Sequence, residues 1–313
     1  MSWPRALWLT GSVLFVTMVV HIAILVVTGD TWSGPVSLRK PVDFAEAGWL
    51  IAWSVALILP LLRTRPWQRH VIGGSVVLFA VGETAIMAIE AWRGVPSHYN
   101  FSTPFDAALM RGGAAGTAGV FLIGVVVLLV AALRTPGLTT SLRLGVVAGV
   151  VVLFVGCAVG FIMVSNNSGV FQGSVGGGFG NRAAAYLGPD AATVGPDYLV
   201  LRPATQGGDL LLPHAIGVHG LILLAVPAIL LARTAVPAAR QRRMVAILVT
   251  GVGLAMLLLL VHAFRRQPLD RLNPVELAVL ALCAITALAG YVTVGVQLLR
   301  HLRRPGGVAL SRG

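Results

Sequence analysis

The side chains able to move protons or hold a cation are few in this sequence, and most fall in three short stretches. "GGDLLLPHAIGVHGL" (207–221) sets Asp209, His214 and His219 at the mouth of an apolar run. "ETAIMAIEAWRGVPSHYN" (83–100) carries Glu83, Glu90, Arg93 and His98, and "LRKPVDF" (38–44) carries Arg39, Lys40 and Asp43. His21 and His262 lie in apolar runs of their own. Ionisable groups are costly in hydrocarbon and are usually kept for a task. Two chemistries suit this set. Imidazoles bind a transition metal or haem iron, and a carboxylate–imidazole pair transfers protons.

On the first chemistry, His98 and His219 are the leading metal ligands. His21, His214 and His262 complete a set able to hold haem b or a transition metal. Glu83, Glu90, Arg93 and Asp209 are the candidate catalytic groups, with Glu83 moving protons. Glu83 and Glu90 are seven apart and share a helix face, Glu83 about 10 Å deeper. The structural alternative for Glu83 is a protonated carboxyl bonded to a neighbouring helix. His214 and His219 are five apart, about 140° around a helix. They therefore face different partners, His219 inward and His214 at the rim; a ring bonded to a backbone carbonyl is the alternative for His219, and a purely interfacial residue at the helix start is the alternative for His214. Asp106 reads as helix-start chemistry, with Thr103 as N-cap and Pro104 at N1. Arg93 pairs with Glu90 or binds an anion, and Arg39 and Lys40 pair with nearby acids. His70 and His301 sit beside arginines and read as interface residues.

Several classes are excluded. There is no HExxH, CxxCH, GxSxG or Walker A motif, and the glycine-rich stretch near 173–181 does not follow a strand as a dinucleotide loop would. Cys157 and Cys283 lie apart in apolar segments and suggest no disulfide. The net charge of +12 does not imply nucleic acid, because the basic residues are spread through short connections.

The elements that must hold these groups are plain. The 313 residues are 57% hydrophobic and 11% charged, with mean hydropathy +0.87. Runs near 20 apolar residues recur, the length a helix needs to cross a bilayer. The predicted fold is all-α: a single polytopic membrane helix bundle over 1–313, with spans at 6–27, 44–62, 71–91, 104–133, 144–164, 213–232, 244–264 and 275–299. The first run is too long for a signal-peptide core and reads as a retained span. Fourteen of the 23 basic residues fall on alternate connections and the termini, whereas all 11 acids fall on the other side. The positive-inside rule then places both termini in the cytoplasm. Residues 165–212 become a long external glycine-rich loop, read as a partly ordered cap. Gly112/Gly116, Gly145/Gly149 and Gly156/Gly160 are spaced for close helix approach.

"KPVDF" (40–44), "WRGVPSHYN" (92–100) and "GGDLLLPHAIGVHGL" (207–221) together resemble a family of bacterial multi-span membrane proteins with the pattern KPxKFxxS, RGxxSHFN and GGDLxxxHFxGLHxxQ. Lys40, Pro41, Phe44, Arg93, Gly94, Ser97, His98, Asn100, Asp209, His214, Gly217 and His219 match; Asp43, Ala47, Tyr99 and Ala215 depart. The resemblance covers spans two to six. It implies an outer-face site in a bacterial cytoplasmic membrane, and no reaction.

Three functions follow in order. The first is a membrane redox or metal-dependent enzyme binding haem b or a metal at an outward-facing pocket. The second is a proton-coupled transporter of a small solute or ion. The third is an assembly subunit acting through the external loop. The partners expected are the lipid bilayer and a small ligand or ion at the outer face, with the oligomeric state open.

Overall fold

The computed structural model describes residues 1–30, 32, 36–95, 100, 103–166, 186–187 and 207–303. The first three spans are α1 (Trp3–Thr28), α2 (Arg39–Ile58, continued by a 3-10 turn at Leu59–Leu61) and α3 (Pro66–Trp92). The fourth is composite: α4 (Pro104–Ala108), a π-helical turn (Leu109–Ala114) and α5 (Ala115–Arg134). The fifth is α6 (Thr140–Asn166). A two-residue antiparallel pairing of β1 (Tyr186–Leu187) with β2 (Gly208–Asp209) leads into α7 (Leu211–Val218). A second π-helical turn (Leu221–Ala225) and α8 (Val226–Ala232) complete that span. Two helices close the chain, α9 (Ala238–Phe264) and α10 (Pro274–Leu302).

Among the described residues, seven helices are long and apolar enough to cross a membrane; α7 and α8, bent by 53° at their junction, make an eighth span. The protein is thus a multi-pass helical membrane protein. Each expected span is present, and the observed helices mostly run a few residues past the predicted ends. Proline supplies several starts, at Pro66, Pro104 and Pro274, where its missing N–H costs nothing. Thr103 caps α4 by accepting from the Asp106 N–H, as the sequence predicts.

Successive spans run antiparallel. At one end Trp3 of α1 meets His70 of α3 edge-on at 5.6 Å. There too Gln241 of α9 donates to the carbonyls of Leu231 and Val236. At the other end Trp92 of α3 donates to His21 of α1. The first end gathers arginines. The second holds all nine described acids, Asp30, Asp43, Glu46, Glu83, Glu90, Asp106, Asp209, Asp270 and Glu276, the deepest being Glu83. The two are called the basic end and the acidic end below.

Contact between lipid-embedded helices rests on close packing, because lipid tails are as apolar as leucine. The main core is aliphatic, drawn from α2, α3, α5, α6, the α7–α8 span and α9, and it fills the middle and the basic half. Phe79 stacks on Phe121 at 4.3 Å between α3 and α5. The closest helix contact joins α6 to the bent span. A Cβ on Gly156 would stand 2.5 Å from the Gly217 Cα, so the two backbones touch. Gly145 and Gly149 also face the bent span, whereas no described residue lies within 4 Å of a Cβ placed on Gly112 or Gly116. Among the described residues the first glycine pair is therefore not a packing site, and the other two are. The outer helices α1 and α10 present broad apolar faces to lipid.

Candidate functional site

The polar side chains of the acidic half fall into three groups. The first is at the bend of the α7–α8 span. His219 stands between the two arms, in the break itself. Its Nδ1 donates to the Ala215 carbonyl at 2.7 Å. Its Nε2 lies 2.9 Å from Glu46 Oε2 and 3.2 Å from Oε1, on α2. A carbonyl oxygen only accepts, so Nδ1 carries a hydrogen. A carboxylate also only accepts. The Nε2–Glu46 contact therefore holds one proton, on the ring or on the acid. Remove it, and a ring lone pair faces a carboxylate. His219 is 28% exposed and Glu46 37%, so the pair lies at the surface of the bundle and not in its core.

The α2 face leading to this pair is polar. Arg39 Nε is 3.6 Å from Asp43 Oδ2, one turn along, and Asp43 has Arg39, Lys40 and Glu46 as charged neighbours. Arg39 thus pairs with an acid as the sequence suggests. His214 turns the other way, as the 140° spacing requires. Its Nδ1 donates to the Gly156 carbonyl of α6 at 2.8 Å, so it bears on the helix contact and not on the rim.

A second group sits between α3 and α5. Glu83 is buried, and Oε1 accepts from Thr117 Oγ1 at 2.9 Å. Thr117 follows the π-helical turn at Leu109–Ala114. Both π-helical turns of the bundle thus lie beside a titratable group, Glu83 or His219. Such turns widen the helix and recur at functional sites.

The third group ties α3 to α4. Arg93 Nη1 reaches Asp106 Oδ1 at 2.5 Å and Glu90 Oε1 at 3.3 Å. Asn100 donates to Glu90 Oε2 at 3.3 Å, and the Arg93 guanidinium stacks over Phe105 at 4.8 Å. Glu90 and Asp106 are almost wholly buried, 0% and 1% exposed. Arg93 lies just past the end of α3, and its hydrogen bond to Asp106 raises its pKa further, holding it charged. This group clamps the helix ends together and engages Glu90 and Arg93 with each other.

The remaining candidates stand apart. His21 donates through Nδ1 to the Thr17 carbonyl at 2.8 Å and accepts at Nε2 from the Trp92 indole at 3.2 Å, so both ring nitrogens are engaged. Asp209 accepts from the Leu211 N–H at 2.7 Å at the start of α7. His262, at the far side of the bundle, is buried, and among the described residues neither ring nitrogen has a hydrogen-bond partner; Glu276 Oε1 of α10 lies 3.4 Å from Nε2. His98 and most of the 165–212 segment lie outside the described residues. Among the described residues, no three His, Cys, Asp or Glu side chains gather as a metal-binding group.

Glu46 is the site residue that the sequence motifs do not single out. The signal available was the helical spacing Arg39–Asp43–Glu46, one polar face at steps of four and three on an otherwise apolar span. Comparison with protein families, with curated proteins and with solved structures finds no match, so the functional reading rests on the residues themselves.

Proposed function

We propose that this membrane protein is a proton-coupled transporter of a small solute or ion, with His219 and Glu46 as its proton-exchange pair. The observation that carries the reading is the one-proton contact at the bend of a broken span. Broken helices are where many transporters build their sites. Loading the pair with a proton closes α2 onto the bent span; unloading it sets a lone pair against a carboxylate and drives them apart. Proton occupancy is thus coupled to helix position. Glu83, buried and bonded to Thr117, is a further acceptor within the bundle. The basic end faces the cytoplasm on the positive-inside rule, which turns the exchange pair toward the outer face of a bacterial cytoplasmic membrane.

A second reading uses the same atoms. With the proton gone, His219 Nε2 and the Glu46 carboxylate are two converging ligands for a transition metal, and His98 is the further ligand the sequence offers. In that case the protein is a metal-dependent membrane enzyme.

The experiment is reconstitution of the full chain in liposomes enclosing a pH-sensitive dye. A panel of amino acids, organic acids, sugars and monovalent cations is added outside. The transporter reading expects at least one solute to drive an internal pH change that Glu46→Gln and His219→Gln abolish. Stoichiometric metal or a haem absorption band in the purified protein, with no solute-driven pH change, overturns it in favour of the enzyme.

A further inference from the structure

The basic end holds a feature that proton coupling does not use. Arg240 and Arg243 on α9 and Arg300 and Arg303 on α10 are exposed. Among the described residues none of the four has a carboxylate within ion-pair distance. All nine described acids lie toward the opposite end. Among the described residues these guanidinium groups thus have no counter-charge.

Their positions say what supplies it. Gly251 abuts Ala287 and Gly290 abuts Leu248, which fixes the antiparallel register of α9 and α10. Carried down the pair, that register sets Arg240 at about the level of residue 298, within about one turn of Arg300. Below the arginines, each helix shows lipid an apolar stripe. On α9 the face of Arg240 and Arg243 continues through Ile247 and Leu254, both well exposed. On α10 Val292, Val296 and Leu299, also exposed, lead up to Arg303. From Val292 to Arg303 is about 16 Å of helix, roughly half the thickness of a bilayer's hydrocarbon core.

We propose that the α9–α10 hairpin is a binding surface for an anionic phospholipid. One such lipid lies along the α9 stripe with its phosphate held by Arg240 and Arg243, and another along the α10 stripe, on the face of that helix turned away from α9, with its phosphate held by Arg300 and Arg303. A free phosphate ion would satisfy the cations and leave the stripes unused, whereas a phospholipid matches both. The planar guanidinium fork suits phosphate oxygens better than an ammonium does, and a leaflet rich in anionic lipid attracts basic segments at a helix end.

The test is native mass spectrometry and thermal unfolding of the detergent-purified full chain, titrated with phosphatidylglycerol, cardiolipin or phosphatidylcholine. The expected result is retention of the anionic lipids at least about tenfold tighter than phosphatidylcholine, with a matching rise in unfolding temperature. The R240Q/R243Q/R300Q/R303Q variant loses that preference by about tenfold or more. R63Q/R65Q/R69Q, which changes arginines near the α2–α3 connection at the same end, keeps it. If the quadruple variant does not fold, R240Q/R243Q and R300Q/R303Q are read in the same way, each losing part of the preference. Equal lipid preference in wild type and variants overturns the proposal. So does an equal loss in R63Q/R65Q/R69Q, which would mean diffuse attraction, or an equal stabilisation by inorganic phosphate.

Discussion

Replacing Gly156 by alanine tests the helix contact that holds the bent span in place. The added Cβ would lie 2.5 Å from the Gly217 Cα, 2.6 Å from its carbonyl carbon and 2.8 Å from the Val218 nitrogen. All three are backbone atoms, so no rotamer change relieves the clash. Ordinary contact begins near 3.4 Å, so α6 and the bent span must shift apart by about 1 Å. Overpacking of this kind costs about 1–3 kcal/mol. His219 lies two residues beyond Gly217, and a shift of that size moves its ring out of register with a 2.9 Å contact. G156A should therefore lose both stability and solute-driven proton movement. Stability is read from unfolding in mixed micelles with increasing dodecyl sulfate, followed by tryptophan fluorescence. G253A and G112A are the controls: no described residue lies within 4 Å of a Cβ at either glycine. Each should hold its stability or gain up to about 1 kcal/mol. If G156A unfolds at the same detergent fraction as the controls, the backbone contact between α6 and the bent span is refuted.

Other outcomes follow from the same geometry. E46Q should cost less than about 1 kcal/mol in unfolding assays, because the pair is partly exposed, yet abolish solute-driven proton movement in liposomes. Thr117→Val should cost about 1–2 kcal/mol by leaving Glu83 without its donor, whereas E83Q, which keeps an acceptor for Thr117, should stay within about 1 kcal/mol of wild type. His262→Phe should hold or raise stability by up to about 1 kcal/mol, since among the described residues the buried ring nitrogens have no hydrogen bond to lose; a large loss would show that Glu276 depends on that ring. Arg93→Met strips the cation from two buried carboxylates and should lower the unfolding temperature well below that of Arg93→Lys.

What the sequence makes legible is the frame. Spans announce themselves by apolar length, and the sorting of arginines from acids orders their ends. Local chemistry is equally readable: the Thr103–Asp106 cap, the Arg93–Glu90 pair and the divergence of His214 from His219 all follow from spacing within one helix. The His219–Glu46 contact does not, because it joins residues 173 apart through the packing of α2 on a broken span. Nor does the break. His219 sits where the span bends by 53°, and although Pro213 and Pro227 set this span apart from α6 and α9, which hold no proline, neither proline stands at the bend. The glycine pairs show the same limit. Spacing marks Gly112/Gly116 and Gly156/Gly160 alike, and only the neighbouring helix decides which one is a contact.

The depth of Glu83 has an electrical meaning. Seven residues of regular helix set it about 10 Å inside Glu90, or about a third of the way across a hydrocarbon core of about 30 Å. A proton arriving there from the acidic end falls through about a third of the transmembrane potential, worth about 0.8 kcal/mol at 100 mV. Occupancy of Glu83 then changes about fourfold for each 100 mV. Proton uptake at Glu83 is thus expected to depend on the membrane potential as well as on pH.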